Sequence, residues 1–124
     1  MKKVETKEAP AAIGPYSQGI IHGDLIFTSG QIPINPELGV IDGKDILEQT
    51  ERAIKNVAEV LRAGGSDLDK VIKTTCYLSD MNNFSAFNSI YATYFTSCPA
   101  RSCVEVSKLP KGAMVEIEAI AVIK

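Results

Sequence analysis

The last strand-like run constrains this chain more than any other feature. From Met114 to Ile123 it reads M-V-E-I-E-A-I-A-V-I, apolar throughout except for Glu116 and Glu118. Side chains on a strand alternate between faces, so Val115, Ile117, Ala119, Ala121 and Ile123 share one face. Glu116, Glu118, Ile120 and Val122 share the other. A strand this apolar on both sides belongs inside a sheet that is covered on both faces.

The rest of the chain offers cover for only one face. Asp45 is placed to cap a long helix in which Ile46, Leu47, Thr50, Ala53, Ile54, Val57, Ala58 and Leu61 recur at helical spacing. Glu48, Glu51, Arg52, Lys55, Asn56, Glu59 and Arg62 fall mostly on its other face, and Gly64-Gly65 stops it. Asp80 or Asn82 can cap a second helix with Phe84, Phe87, Ile90, Tyr91, Tyr94 and Phe95 as its apolar stripe.

Strands are expected elsewhere. Ser17–Ile21 and Leu25–Ser29 form a hairpin around His22-Gly23-Asp24. Val71–Leu78 is β-branched and aromatic, and Ser102–Val106 joins the final strand through the turn Leu109-Pro110-Lys111-Gly112. Pro33, Asn35, Pro36, Gly39 and Gly43 mark a stretch of turns that cannot be central strand. The expectation is an α+β sandwich, a mixed sheet with two helices packed on one face, in a single domain over residues 1–124. The second face then needs a partner, and another subunit is the simplest.

Composition narrows the function. The 124 residues are 45% hydrophobic with no Trp, so the core rests on Ile, Val, Leu and Ala. A net charge of −2 and a pI near 5.4 argue against a nucleic-acid binder, which typically shows a basic face or a pI above about 9. Nucleic acid is therefore not an expected partner. Three cysteines fit a reducing compartment. MKKVETKEAP lacks the apolar core of a signal peptide, and no run is long enough to span a membrane. A cytoplasmic protein is expected.

Several chemistries are excluded. The lone His22 sits in a turn, which argues against a Ser-His or Cys-His nucleophile. No His, Cys, Asp and Glu group has metal-ligand spacing, and no glycine-rich phosphate loop is present. No metal and no cofactor are expected.

Four segments remain. In Ile13-Gly14-Pro15-Tyr16-Ser17 the Gly-Pro turn aims Tyr16 just ahead of a strand, as a site residue or as a half-buried aromatic. Thr28-Ser29-Gly30-Gln31 ends a strand with small residues, which either admit a ligand to the backbone or simply terminate it. In Pro99-Ala100-Arg101-Ser102-Cys103, Arg101 can present its planar fork to a carboxylate or form a surface ion pair, and Cys103 shares its face. Glu116 and Glu118 share a face and are costly to bury unless paired or used; a partly desolvated Glu suits proton transfer to and from water, while a polar subunit interface or a solvent-facing sheet edge is the plainer reading. Together these residues fit a small 2-keto or 2-imino acid with water guided to its C2.

The same segments carry a family resemblance. Ala9–Gly19 (APAAIGPYSQG), Thr28–Pro33 (TSGQIP), Val71–Thr75 (VIKTT), Pro99–Val106 (PARSCVEV) and Val115–Val122 (VEIEAIAV) resemble, in order, the RidA branch of the Rid/YjgF family. The resemblance implies a chorismate-mutase-like fold assembled as a homotrimer around a central barrel, with sites in the clefts between subunits. It implies hydrolysis of 2-aminoacrylate and related enamines or imines to 2-keto acids and ammonia. These intermediates come from pyridoxal-phosphate dehydratases, and the cofactor belongs to those enzymes. By position, Arg101 would clamp the substrate carboxylate and Glu116 would hold or activate the water. Tyr16, Ser29, Gly30, Asn88 and Cys103 would line the pocket, Cys103 mainly through its backbone N–H. Only Thr96, Ser97 and Cys98 separate the second helix from Pro99, a shorter loop beside the cleft than many relatives carry. Some relatives are labelled ribonucleases or translation inhibitors, and a non-catalytic keto-acid binder would use the same Arg101 clamp; both stand as alternatives.

Overall fold

The computed structural model describes residues 1–123. Its six-stranded sheet comprises β1 (Lys2–Val4), β2 (Gly19–His22), β3 (Leu25–Thr28), β6 (Val71–Leu78), β7 (Ala100–Glu105) and β8 (Val115–Val122). The strand order is β1-β2-β3-β8-β6-β7, antiparallel except for the parallel pair β6 and β7. Two short strands, β4 (Ile34–Asn35) and β5 (Val40–Ile41), form a separate hairpin inside the expected stretch of turns.

Helix α1 (Ile46–Ala63) begins where the sequence places it. The Asp45 carboxylate accepts from the Glu48 N–H at 2.8 Å, and Glu48 reaches back to the Lys44 N–H at 2.8 Å. These two bonds satisfy donors that a helix start leaves free. Ile54, Val57, Val60 and Leu61 are wholly buried against the sheet, each such side chain contributing about 1.5–3 kcal/mol. Asn56 departs from the amphipathic reading: it is 1% exposed, and its amide donates to the carbonyls of Ile32 (3.1 Å) and Ile34 (2.9 Å). A buried polar residue here fastens the loop that leads into β4.

Helix α2 (Phe84–Tyr94) starts later than a cap at Asp80 would give. Asp80 instead caps a short 3-10 turn, Met81–Asn83, by accepting from the Asn82 N–H, and α2 follows directly. Phe87, Tyr91 and Phe95 are buried, and the Tyr91 and Phe95 rings stack at 4.4 Å. As the crossover between β6 and β7, α2 permits their parallel pairing.

Both helices lie on one face of the sheet. Across the strands, Ala119, Thr74 and Arg101 stand in one row on that face, followed by Ile117, Cys76 and Cys103. The opposite face carries the row Ile20, Phe27, Ile120 and Lys73, then Glu118, Thr75 and Ser102, then Glu116, Tyr77 and Val104. Along β8 burial alternates strictly, with Val115, Ile117, Ala119 and Ala121 buried and the residues between them half-buried. The chain thus presents a broad, partly apolar face with no helix over it. No helix among the described residues is long and apolar enough to cross a membrane.

Candidate active site

The candidate residues fall into two groups on opposite faces of the sheet. Arg101 and Cys103 stand on the helix face of β7, at the edge of the sheet. The Arg101 guanidinium donates to the Asn88 side-chain oxygen at 2.7 Å and lies over the Tyr91 ring at 4.8 Å and the Phe84 ring at 5.5 Å. Aromatic faces stabilise a cation without neutralising it. Ion pairs among the described residues involve Lys55 and Arg62 only, so Arg101 has no carboxylate partner there. Its charge is braced, partly buried and unanswered. The Tyr91 hydroxyl, in turn, is fixed by Thr74 at 2.7 Å, on a residue only 1% exposed.

Burial pushes the Cys103 thiol up, with Arg101 opposing more weakly, so it remains a neutral thiol at physiological pH. Its backbone faces outward: Val106 donates its N–H to Leu78 at 2.9 Å. By the two-residue alternation of a strand, the Arg101 and Cys103 N–H groups then point toward the free edge of β7.

Glu116, Ser29, Gly30 and Tyr16 form the second group. They line a cavity of about 600 Å³ together with Pro10, Ile13 and Ile32. The chain leaves the β3–β8 ladder after Thr28, whose hydroxyl accepts the Ala119 N–H at 3.0 Å, and rejoins at Gln31, whose N–H donates to Ile117 at 2.8 Å. Ser29 and Gly30 form the detour between these points. A Cβ at Gly30 would stand 1.9 Å from a Glu116 carboxylate oxygen, so only glycine lets that carboxylate lie against the backbone. Burial pushes the Glu116 carboxyl above its usual range, and the neighbouring Glu118 charge adds to the effect. Glu118 accepts from the Tyr77 hydroxyl at 3.4 Å.

Each group is chemically incomplete. One holds a guanidinium without a carboxylate partner among the described residues and an outward N–H, and the other holds a carboxyl whose pKa burial raises. Arg101 and Glu116 project from opposite faces of the sheet. Three contributors escaped the sequence reading. Tyr91 and Phe84 were expected only as core stripe, and their place under Arg101 needs the crossover geometry to be seen. Gln18, described below, carried no chemical signal. Among the described residues no group of His, Cys, Asp and Glu could hold a metal ion.

Known proteins share this framework. The family model described as Endoribonuclease L-PSP matches residues 6–123. A protein of Escherichia coli K12 named 2-iminobutanoate/2-iminopropanoate deaminase is 46% identical over 125 residues, covering 98% of this chain and 97% of that protein. A RutC family protein of Pyrococcus abyssi is 52% identical over 117 residues, covering 94% of this chain and 92% of its own. The crystal structure of E. coli TdcF with bound serine superposes with a TM-score of 0.95 at 42% identity, each chain covered in full (100%). Sequence and fold therefore agree that this chain belongs to the YjgF/RidA/RutC family.

Proposed function

We propose that this protein is a hydrolase that converts reactive 2-imino acids, and the enamines in equilibrium with them, to 2-keto acids and ammonia. The observation that carries the reading is Arg101, a partly buried cation with a neutral hydrogen-bond partner, an aromatic bed and no counter-charge among the described residues. A planar substrate carboxylate fits that fork bidentately. The names of full-length relatives such as the E. coli deaminase support the same reaction.

The site is composite: Arg101, Asn88 and Cys103 come from one copy, and Glu116, Tyr16, Ser29 and Gly30 from a neighbour. The opposite-face placement of the two groups supports this, as does the uncovered row Ile20, Phe27 and Ile120. A homotrimer with the open faces turned inward as a barrel buries that row and generates three equal clefts. In each cleft, Arg101 and the outward Cys103 N–H hold the carboxylate. Water held by Glu116 adds to C2, and Glu116 takes a water proton as the C–O bond forms. That proton passes to the nitrogen, which has taken up the C=N π pair; the remaining hydroxyl proton then follows through Glu116 to the same nitrogen, the C–N bond breaks, and ammonia leaves with its electron pair while C2 becomes a ketone. A carboxyl with a raised pKa suits both halves of that transfer. No cofactor takes part in this scheme.

The family description also names a ribonuclease. His22 is the one histidine and lies exposed at a hairpin end, far in sequence and chemistry from the Arg101 and Glu116 groups. The direct test is keto-acid release in an assay where a serine or threonine dehydratase supplies the imine and semicarbazide competes for it. Acceleration by wild type and not by Arg101→Ala supports the proposal; equal rates for both overturn it.

A further inference from the structure

Between β1 and β2 the chain runs through residues 5–18 without a helix or strand of its own. Backbone of this kind usually satisfies its polar groups with water or a ladder. Here one side chain does it. Gln18 is 3% exposed, and its amide oxygen accepts the Thr6 N–H at 2.7 Å. Its amide nitrogen donates to the Thr6 carbonyl at 3.0 Å and the Pro10 carbonyl at 2.7 Å, with a longer contact to Ala9 at 3.4 Å. Every partner is backbone, and every partner lies 8–12 residues back.

The strap so fastened is a wall of the Glu116 cavity, contributing Pro10, Ala11, Ile13, Tyr16 and Gln18 itself. Its far end is pinned from the cavity floor, where the Ser29 hydroxyl donates to the Ser17 carbonyl at 2.5 Å and the Ser29 N–H to the Gln18 carbonyl at 2.9 Å. A tight turn closes just before that point, with the Tyr16 N–H on the Gly14 carbonyl at 2.9 Å and Gly14 at φ +135°, a backbone angle suited to glycine. Between the two fastenings little holds the strap, for Ile13 is 86% and Tyr16 54% exposed.

We propose that Gln18 is a positioning residue: its buried amide, committed to the backbone of Thr6 and Pro10, fixes where the Tyr16 wall stands relative to Glu116. Ser29 performs the same task from the floor, since its hydroxyl is committed to Ser17. This inference rests on the hydrolytic reading above, and the wild-type rate in the same assay tests that reading separately.

The test is a double-substitution cycle. Gln18→Ala, Gln18→Glu, Tyr16→Ala and the paired variants are assayed as assembled protein, well below each melting temperature. Gln18→Glu keeps the size and the Thr6 bond but cannot donate to the carbonyls, so it serves if Gln18→Ala fails to fold. The expected result is a loss of about tenfold or more in kcat/KM, in keeping with the cost of a displaced site wall. In the Tyr16→Ala background the same change costs nothing further. Unchanged kcat/KM with a lowered Tm, or losses that simply multiply with those of Tyr16→Ala, would show Gln18 to be structural only and overturn the proposal. An inert wild type would instead remove the hydrolytic reading.

Discussion

Arg101 and Glu116 sit in opposite electrostatic situations, and each gives its own variant. Arg101→Lys retains the charge but loses the planar fork and the stacking on Tyr91, so it should recover little of the activity lost in Arg101→Ala. We expect kcat/KM to fall about a hundredfold in both, read by steady-state kinetics, with the far-UV spectrum unchanged. Glu116 has a folded pKa raised above 4.5, mainly by burial. The folded state therefore holds this proton more tightly than the unfolded chain does. Its contribution to stability is complete below the unfolded pKa and is lost as pH rises through the folded one. Glu116→Gln should accordingly abolish turnover while raising Tm relative to wild type at pH 8, with a smaller gain at pH 4; an equal gain at both would show that the carboxyl is not strained by burial. Gly30→Ala should leave the fold intact, because the clashing atom is the free end of Glu116, yet depress kcat by swinging that carboxylate away.

The elements show where sequence periodicity suffices and where it does not. Helix α1 was legible from Asp45 to Gly64 because cap, stripe and stop all agree. Asp45→Ala should cost about 1 kcal/mol in chemical denaturation, the usual worth of a cap. Strand β8 was legible from its alternation. By contrast, β1 was not, since Lys2 and Lys3 give three residues no apolar pattern, and only pairing with Ile20 and Ile21 makes them a strand. The hairpin of β4 and β5 is two residues per strand, too short for any period to register. The site shows the same limit. Arg101, Glu116 and Tyr16 stand out by type and motif, but that Arg101 and Glu116 face opposite ways depends on the register of β7 against β6 and of β6 against β8. That relation passes through three strands and the α2 crossover, and no local pattern encodes it.

At the scale of the molecule, a sheet with helices on one face alone is half-finished. The uncovered rows combine Ile20, Phe27 and Ile120 with the Glu116 and Glu118 carboxyls, a mixture suited to a subunit boundary that also holds a polar cleft. Phe27→Asp should convert the proposed trimer to monomers in sedimentation velocity and abolish activity with it, while α1 and α2 persist by circular dichroism. Retained activity in a monomer would detach catalysis from assembly.

The composite site is the central claim, and the most direct measurement is complementation. Arg101→Ala and Glu116→Gln chains, each inactive alone, are co-expressed with different tags and mixed oligomers are purified. If one copy supplies Arg101 and its neighbour Glu116, each mixed trimer regains one intact site, about a third of the wild-type sites, and keto-acid release returns in proportion. Mixed oligomers that remain as inactive as either parent would contradict the account and require both residues to act from a single chain.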